Sequence, residues 1–485
     1  MIAKPFCEAQ LLCITALRIL AIAVALLFGT SSHAERFLPT GAFSYEDIRL
    51  ANGLRIVVQR VHTAPYISAR LVVKTGTDHY PCNDRELPHL VEHLLFSANS
   101  VLAESDIDDQ INAWGGQINA FTYAEQTEVV LDAHARFQVP AMQLLATMVG
   151  NFDPQPADVV READVVERES GADHTALRLW WTQQPFVQRA STKFELAAGI
   201  TCTSGLTPIH HLAEADIRQA FDTYYVPANM ILVLVGDLDE AGLAAAKQAF
   251  GALPARPAPV VTPLPITMPA TTDFTSGWLS GTASLDAPTA AGIAPFHDWE
   301  GFYALQLVES WLNNRMFREL RSERGIAYTP SASVAYHGTA TLVTLAAETS
   351  PKDTAYTRDY LRALVTRVQT QGIPEEDFQN LRTAALLGMA QEFERISDRA
   401  NYLSGSVREI ENGGLFDIET FYAQLSYSRF YELVRRDWPP HFVVLDASPR
   451  VSWSAWIGLL GGSTLLLMLG VGLLVWRRLR ALRPG

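Results

Sequence analysis

Positive charge is scarce in this 485-residue sequence: 38 Lys and Arg stand against 52 Asp and Glu, a formal net charge of −14. With no basic surplus to neutralise phosphates, nucleic-acid binding is excluded, and the acidity itself reads as a solubility effect. No low-complexity tract interrupts a composition that is 48% hydrophobic and 10% aromatic, so this is a folded chain and not a disordered one. Cysteine is rare, with 4 residues. Cys7 and Cys13 fall in a leader-like segment, and Cys82 and Cys202 lack a CxxC partner, which sets cysteine-ligated metal aside. In an oxidising compartment a disulfide between the latter two stays open. His79 and the pair His210-His211 form no cluster at ligand spacing, which sets aside a metal-storage or transport protein.

What is present begins with length, which exceeds one ordinary core and predicts two domains of roughly 200 residues each. Both ends carry membrane signals. Residues 1–34 combine Lys4 and Arg18 with the apolar run 19–28 and small residues at Ser32 and Ala34. That is the pattern of a secretory signal cut before Glu35, with an uncleaved anchor as the alternative. Residues 456–476 hold no charge over 21 positions and carry Trp456 and Trp476 at their ends. Such a stretch suits a helix crossing a bilayer of about 30 Å. Arg477, Arg478, Arg480 and Arg483 follow in the tail 477–485. Positive residues stay cytoplasmic, so residues 35–450 are expected on the exported side, at the periplasmic face of a bacterial inner membrane.

Between the ends, residues 54–59 and 67–73 read as strands, 87–96 as an apolar helix, and 117–131 as one continuing strand. Helical spacing returns over 157–170 and 240–250, with a strand at 226–235 between them. Prolines at 254, 257, 259, 263, 265 and 269 predict a stiff linker over 255–271. The unit after it, 272–450, repeats the mixture of the first, 35–254: a helix over 301–322, strands at 328–334 and 341–346, and helices from 354 and 375. Two copies of one α+β unit are expected.

The chemistry gathers at His89-Leu90-Val91-Glu92-His93. Residues four apart share a helical face, so both imidazoles can hold one ion, with Glu92 beside them to reach a water held by that ion. Glu92 would take the water's proton and later hand one to a leaving amine. A third ligand is needed, and a carboxylate suits zinc. Glu162 and Glu169 lie seven residues apart, almost two turns, and point the same way from one helix. Glu169 is the candidate ligand and Glu162 its supporting neighbour. Alone, such a pair reads as a solvated face; beside the upstream motif it reads as part of a zinc centre, one ion per chain.

With these residues in view, the chain resembles the pitrilysin/insulinase peptidases, an inverted-motif zinc metallopeptidase family that includes the mitochondrial processing peptidases. His89 to His93 followed by Leu94-Leu95-Phe96 is similar to the family's zinc helix, and the run from Glu162 to Glu169 to its paired-glutamate helix. Ile111 to Thr122, through Gly115-Gly116, resembles the segment leading into an edge strand, where Asn119 and Ala120 would meet a substrate backbone added as a strand. Leu320 to Tyr328 resembles the segment with the family's arginine–tyrosine pair, which puts Arg321 and Tyr328 in the role of holding substrate and polarising the scissile carbonyl. Read by themselves, these two are a surface arginine and the start of a strand. Departures exist: Glu86 stands where the family commonly has glycine, Pro88 fits a helix's first turn, and Ser97-Ala98-Asn99 replaces a basic–glycine segment.

The resemblance implies an α+β chain of two homologous sandwich domains, each a mostly antiparallel sheet covered by helices, followed by the transmembrane helix. It implies a zinc-dependent endopeptidase acting on peptides or unfolded segments. Because both halves of the site lie in one chain of this length, it also implies a homodimer in which each zinc is completed by the partner. The alternative is a non-catalytic assembly or scaffold subunit at the membrane.

Overall fold

The computed structural model describes residues 43–169, 175–201, 209–260, 265–272, 274–277, 287–445, 458, 461–464 and 466–471. The expected signal 1–34 and the basic tail lie outside the described residues, as does part of the expected span 456–476. Among the described residues no helix is long and apolar enough to cross a membrane. Cys82 is disulfide-bonded.

The first sheet contains β1 (Glu46–Arg49), β2 (Arg55–Arg60), β3 (Tyr66–Val73), β4 (Gln117–Thr122), β5 (Thr127–His134) and β6 (Met230–Gly236), in the order β1-β2-β6-β3-β5-β4. The central β6 is apolar from end to end because both faces of the sheet are covered. On one face lie the helices Leu87–Ser97, Gln138–Gly150 and Glu240–Gly251, which bury Leu90, Leu94, Leu145 and Phe250 against Leu71, Val129 and Leu131. The other face is covered by the second half of the chain: Val57, Val72 and Val233 pack on Ala400, Leu403 and Ile410. Truncation of the fully buried Leu94 to alanine is expected to cost about 2–5 kcal/mol, read as a lower urea midpoint.

The continuous strand expected over 117–131 is instead a hairpin. Thr122 of β4 faces Thr127 of β5, and the Tyr123 N–H donates to the Gln126 carbonyl at 2.8 Å. The turn contains neither glycine nor proline, so nothing in its composition announces it. Ahead of β4, Gly115 adopts φ +60°, and a Cβ on Gly116 would lie 2.7 Å from the Asp132 carbonyl oxygen. These two glycines let the chain turn and pass close beside β5. β4 ends the sheet order and, among the described residues, leaves one edge unpaired.

The second sheet contains β7 (Thr289–Pro295), β8 (Ser331–His337), β9 (Ala340–Ala346) and β10 (Val443–Leu445), in the order β10-β7-β9-β8. This repeats β6-β3-β5-β4 with antiparallel neighbours throughout. The helix Trp299–Met316 follows β7 as Leu87–Ser97 follows β3. The duplication expected from pattern is therefore present in topology. Two boundaries differ from expectation. The α-helix expected to 322 gives way to a π-helical stretch at Phe317–Glu323, and β8 starts at Ser331, leaving Tyr328 outside it and 71% exposed. Part of the expected stiff linker is packed: Ile266 is buried beside Phe194, and the Thr267 N–H donates to the Ala198 carbonyl at 3.0 Å. Apolar residues between the prolines account for this docking.

Candidate metal centre

The helix Leu87–Ser97 admits Pro88 in its first turn, where no intrahelical N–H is lost. Leu90, Val91, Leu94 and Leu95 anchor it in the core. The remaining face presents His89, Glu92 and His93 to a cavity of about 810 Å³ that Glu162 and Glu169 also line. The helix Pro156–Glu169 approaches from the side, buried through Val159, Ala163 and Val166. That phase turns Glu162 and Glu169 toward the histidines.

The donor atoms converge. His89 Nε2 and His93 Nε2 each lie 3.4 Å from the same Glu169 Oε2, and one donor atom from each residue falls within 4.8 Å of the others. Zinc–ligand bonds of about 2.0–2.1 Å at tetrahedral angles place neighbouring donors about 3.3 Å apart. The set of two imidazoles and one carboxylate therefore fits a tetrahedral zinc ion with a fourth position left open. Each imidazole is also oriented from behind. His89 Nδ1 is 3.2 Å from Glu86 Oε2 and His93 Nδ1 is 3.4 Å from Glu162 Oε2, which leaves both Nε2 atoms facing inward.

The electrostatics separate the carboxylates by task. Burial pushes the Glu92 carboxyl up, against the hydrogen bond from Thr122 Oγ1 at 2.5 Å and the two nearby imidazoles. A carboxyl tuned this way suits proton transfer. Burial also pulls Glu162 upward, but hydrogen bonds from His93, Arg161 and Ser97 outweigh it and hold this carboxyl below its usual value. Arg161 Nε sits 3.0 Å from Glu162 Oε1. Pairing with Glu162 in turn raises the His93 imidazole against desolvation.

Asn119 and Ala120 lie on the edge strand β4 and line the same cavity. Arg321 and Tyr328 do not. They come together, with the guanidinium carbon 4.1 Å from the ring centroid and Arg321 Nη1 donating to the Tyr328 carbonyl at 2.6 Å. They line a separate cavity in the second half with Glu348 and Lys352.

Two residues of the site escaped sequence reasoning. Glu86 was in view, three residues before His89 and so on its helical face. Thr122 reaches Glu92 only because of the hairpin. The expectation that no second cluster exists also needs correction: His210 Nε2 lies 2.5 Å from Glu167 Oε2 and 3.9 Å from Asp164 Oδ1. Spacing cannot find this group, because His210 arrives from a different segment. It is an ion-paired, largely exposed arrangement.

Comparison with known proteins bears on the family. Residues 55–193 match the insulinase family of peptidases, M16, and residues 211–385 match the peptidase M16 inactive domain. Zinc protease PqqE of Helicobacter pylori is 25% identical over 231 residues, 46% of this chain and 49% of that protein, so the chain aligns to about half of that relative's length. An uncharacterized zinc protease of Mycobacterium bovis is 25% identical over 401 residues, 77% of this chain and 87% of its own. The peptidase M16 inactive domain from Pseudomonas fluorescens shares the fold at a TM-score of 0.68 and 16% identity, covering 84% of this chain and 99% of that one. The two family matches together take in well over half of the sequence, and the chain belongs to the pitrilysin/insulinase family of peptidases.

Proposed function

We propose that the chain is a zinc-dependent endopeptidase that binds peptides or unfolded segments along the free edge of β4. One observation carries the proposal: His89, His93 and Glu169 meet at zinc-ligand separations beside a buried carboxylate and an unpaired strand edge. Zinc, when bound, supplies Lewis acidity that lowers the pKa of water to about 7. Ladder groups of β4 around Asn119 and Ala120 align the substrate backbone. Glu92, steadied by Thr122, accepts the proton of the attacking water and delivers one to the departing amine. Arg321 and Tyr328 line a different cavity, so on this reading they complete the centre of a partner in a homodimer.

The domains would work on the exported side of a membrane, held there by 456–476. The disulfide at Cys82 suits an oxidising compartment. The test is metal content with peptide hydrolysis: about one zinc per chain, cleavage of an internally quenched peptide, loss on chelation and return on adding zinc. A chain that binds zinc and cleaves nothing would instead favour the non-catalytic subunit reading, which the inactive-domain match over 211–385 supports. The neighbour of His93 gives a second check. Glu162→Gln is expected to weaken zinc affinity about 10–100-fold, measured by competition with a chromogenic chelator. Unchanged affinity would remove Glu162 from the supporting role.

A further inference from the structure

The helix Pro156–Glu169 carries acidic side chains on two sides. Glu162 and Glu169 face the zinc centre. Asp164 follows Glu162 by two residues and Glu167 precedes Glu169 by two, and two residues turn a helix by about 200°. Asp164 and Glu167 therefore stand on the face turned away from that centre. They are neighbours one turn apart, where like charges repel. His210 meets them from another segment. Its Nε2 lies 2.5 Å from Glu167 Oε2 and 3.9 Å from Asp164 Oδ1, and one donor atom from each of the three residues falls within 4.8 Å of the others.

An ion pair with His210 needs one carboxylate, and here two converge on the same imidazole nitrogen. The donor set suits a cation of higher charge. One imidazole nitrogen with two carboxylate oxygens favours a divalent transition metal such as zinc over magnesium or calcium, which prefer oxygen alone. Neighbouring donors around a tetrahedral zinc ion stand about 3.3 Å apart. An entering ion would open the shorter of the two contacts and close the longer, each by less than about 1 Å. The side chains of His210 and Asp164 are 47% and 53% exposed, so water completes the coordination and competes for the ligands.

The location gives such an ion a consequence. His211 Nε2 lies 2.9 Å from Asp84 Oδ1, in the turn Cys82–Asp84 that precedes the zinc helix. The segment then enters the helix Glu214–Tyr224, which packs against the zinc helix. Two adjacent histidines thus reach toward both elements that supply catalytic zinc ligands, and only one of these contacts has the donors of a metal site.

We propose that Asp164, Glu167 and His210 form a second binding site for a divalent transition-metal ion, apart from the catalytic centre and weaker than it. An ion held there clips the segment ahead of Glu214–Tyr224 to the outer face of the helix that presents Glu169. Its role is structural, since it lies across that helix from the reacting groups.

The test uses the full chain with one equivalent of zinc already bound, titrated with further zinc by calorimetry. A second, weaker uptake of about one ion per chain is expected. His210→Asn should weaken that uptake about tenfold or more, because even the loss of a group that only supports a ligand costs about 10–100-fold, and the first equivalent should stay in place. Asp164→Asn should act alike, so the idea does not hang on one variant folding. Filling the site should also slow amide deuterium exchange over residues 164–169 and 209–213. No second uptake, or one that both variants retain, overturns the site. The first equivalent and peptide cleavage report separately on the peptidase reading.

Discussion

Glu92→Gln is expected to lower kcat about a thousandfold, roughly 4 kcal/mol of transition-state stabilisation, while zinc content stays at that of the unsubstituted chain. The size follows from what is lost. Glutamine fills the same space against the helix and still accepts from Thr122 Oγ1, but it takes no proton from water. Zinc should remain, since the convergent atoms are His89 Nε2, His93 Nε2 and Glu169 Oε2, and none belongs to residue 92. KM should change little, because Glu92 is 8% exposed and offers substrate almost no surface. The pairing of readouts matters: a fall in activity with loss of metal would mean a collapsed site. Hydrolysis at the unsubstituted rate by a zinc-loaded variant would remove Glu92 from the chemistry.

How much of this was legible in the sequence depends on distance along the chain. His89 and His93 sit one turn apart, so helical geometry alone puts their imidazoles together. Glu162 and Glu169 share a face for the same reason, yet their meeting with the histidines rested on a zinc ion's need for a third ligand and not on local geometry, because no local rule docks one helix on another. Glu86 obeys a local rule and was overlooked for want of a reason to look. Thr122 could not be found, since it depends on a hairpin whose turn has no glycine or proline. The cover of the first sheet by Ala400, Leu403 and Ile410 joins them to Val57 and Val72, more than three hundred positions away. The unbroken apolar run of β6 marks a strand buried on both faces, but not what buries it, and the alternating Ser68 and Arg70 of β3 hide its second buried face.

The placement of Arg321 and Tyr328 away from the zinc cavity leads to the second large effect, a recovery instead of a loss. If they act in trans, Tyr328→Phe alone should cost about a hundredfold or more in kcat, as removal of an oxyanion donor does. Glu92→Gln alone should be at least as inactive. In a mixed dimer of the two, one centre joins the defective Glu92 site to the defective Tyr328, and the other joins the intact copies of both. Random pairing makes half the dimers mixed, each with one working centre of two, so co-refolded or co-expressed chains should regain about a quarter of full activity. The Arg321 contact to the Tyr328 backbone carbonyl does not involve the phenol, so Tyr328→Phe should leave that loop in place. No recovery on mixing, with dimers present by ultracentrifugation, would mean that any contribution of Tyr328 is made within its own chain. In that case the two cavities, separate here, must close on each other when substrate binds.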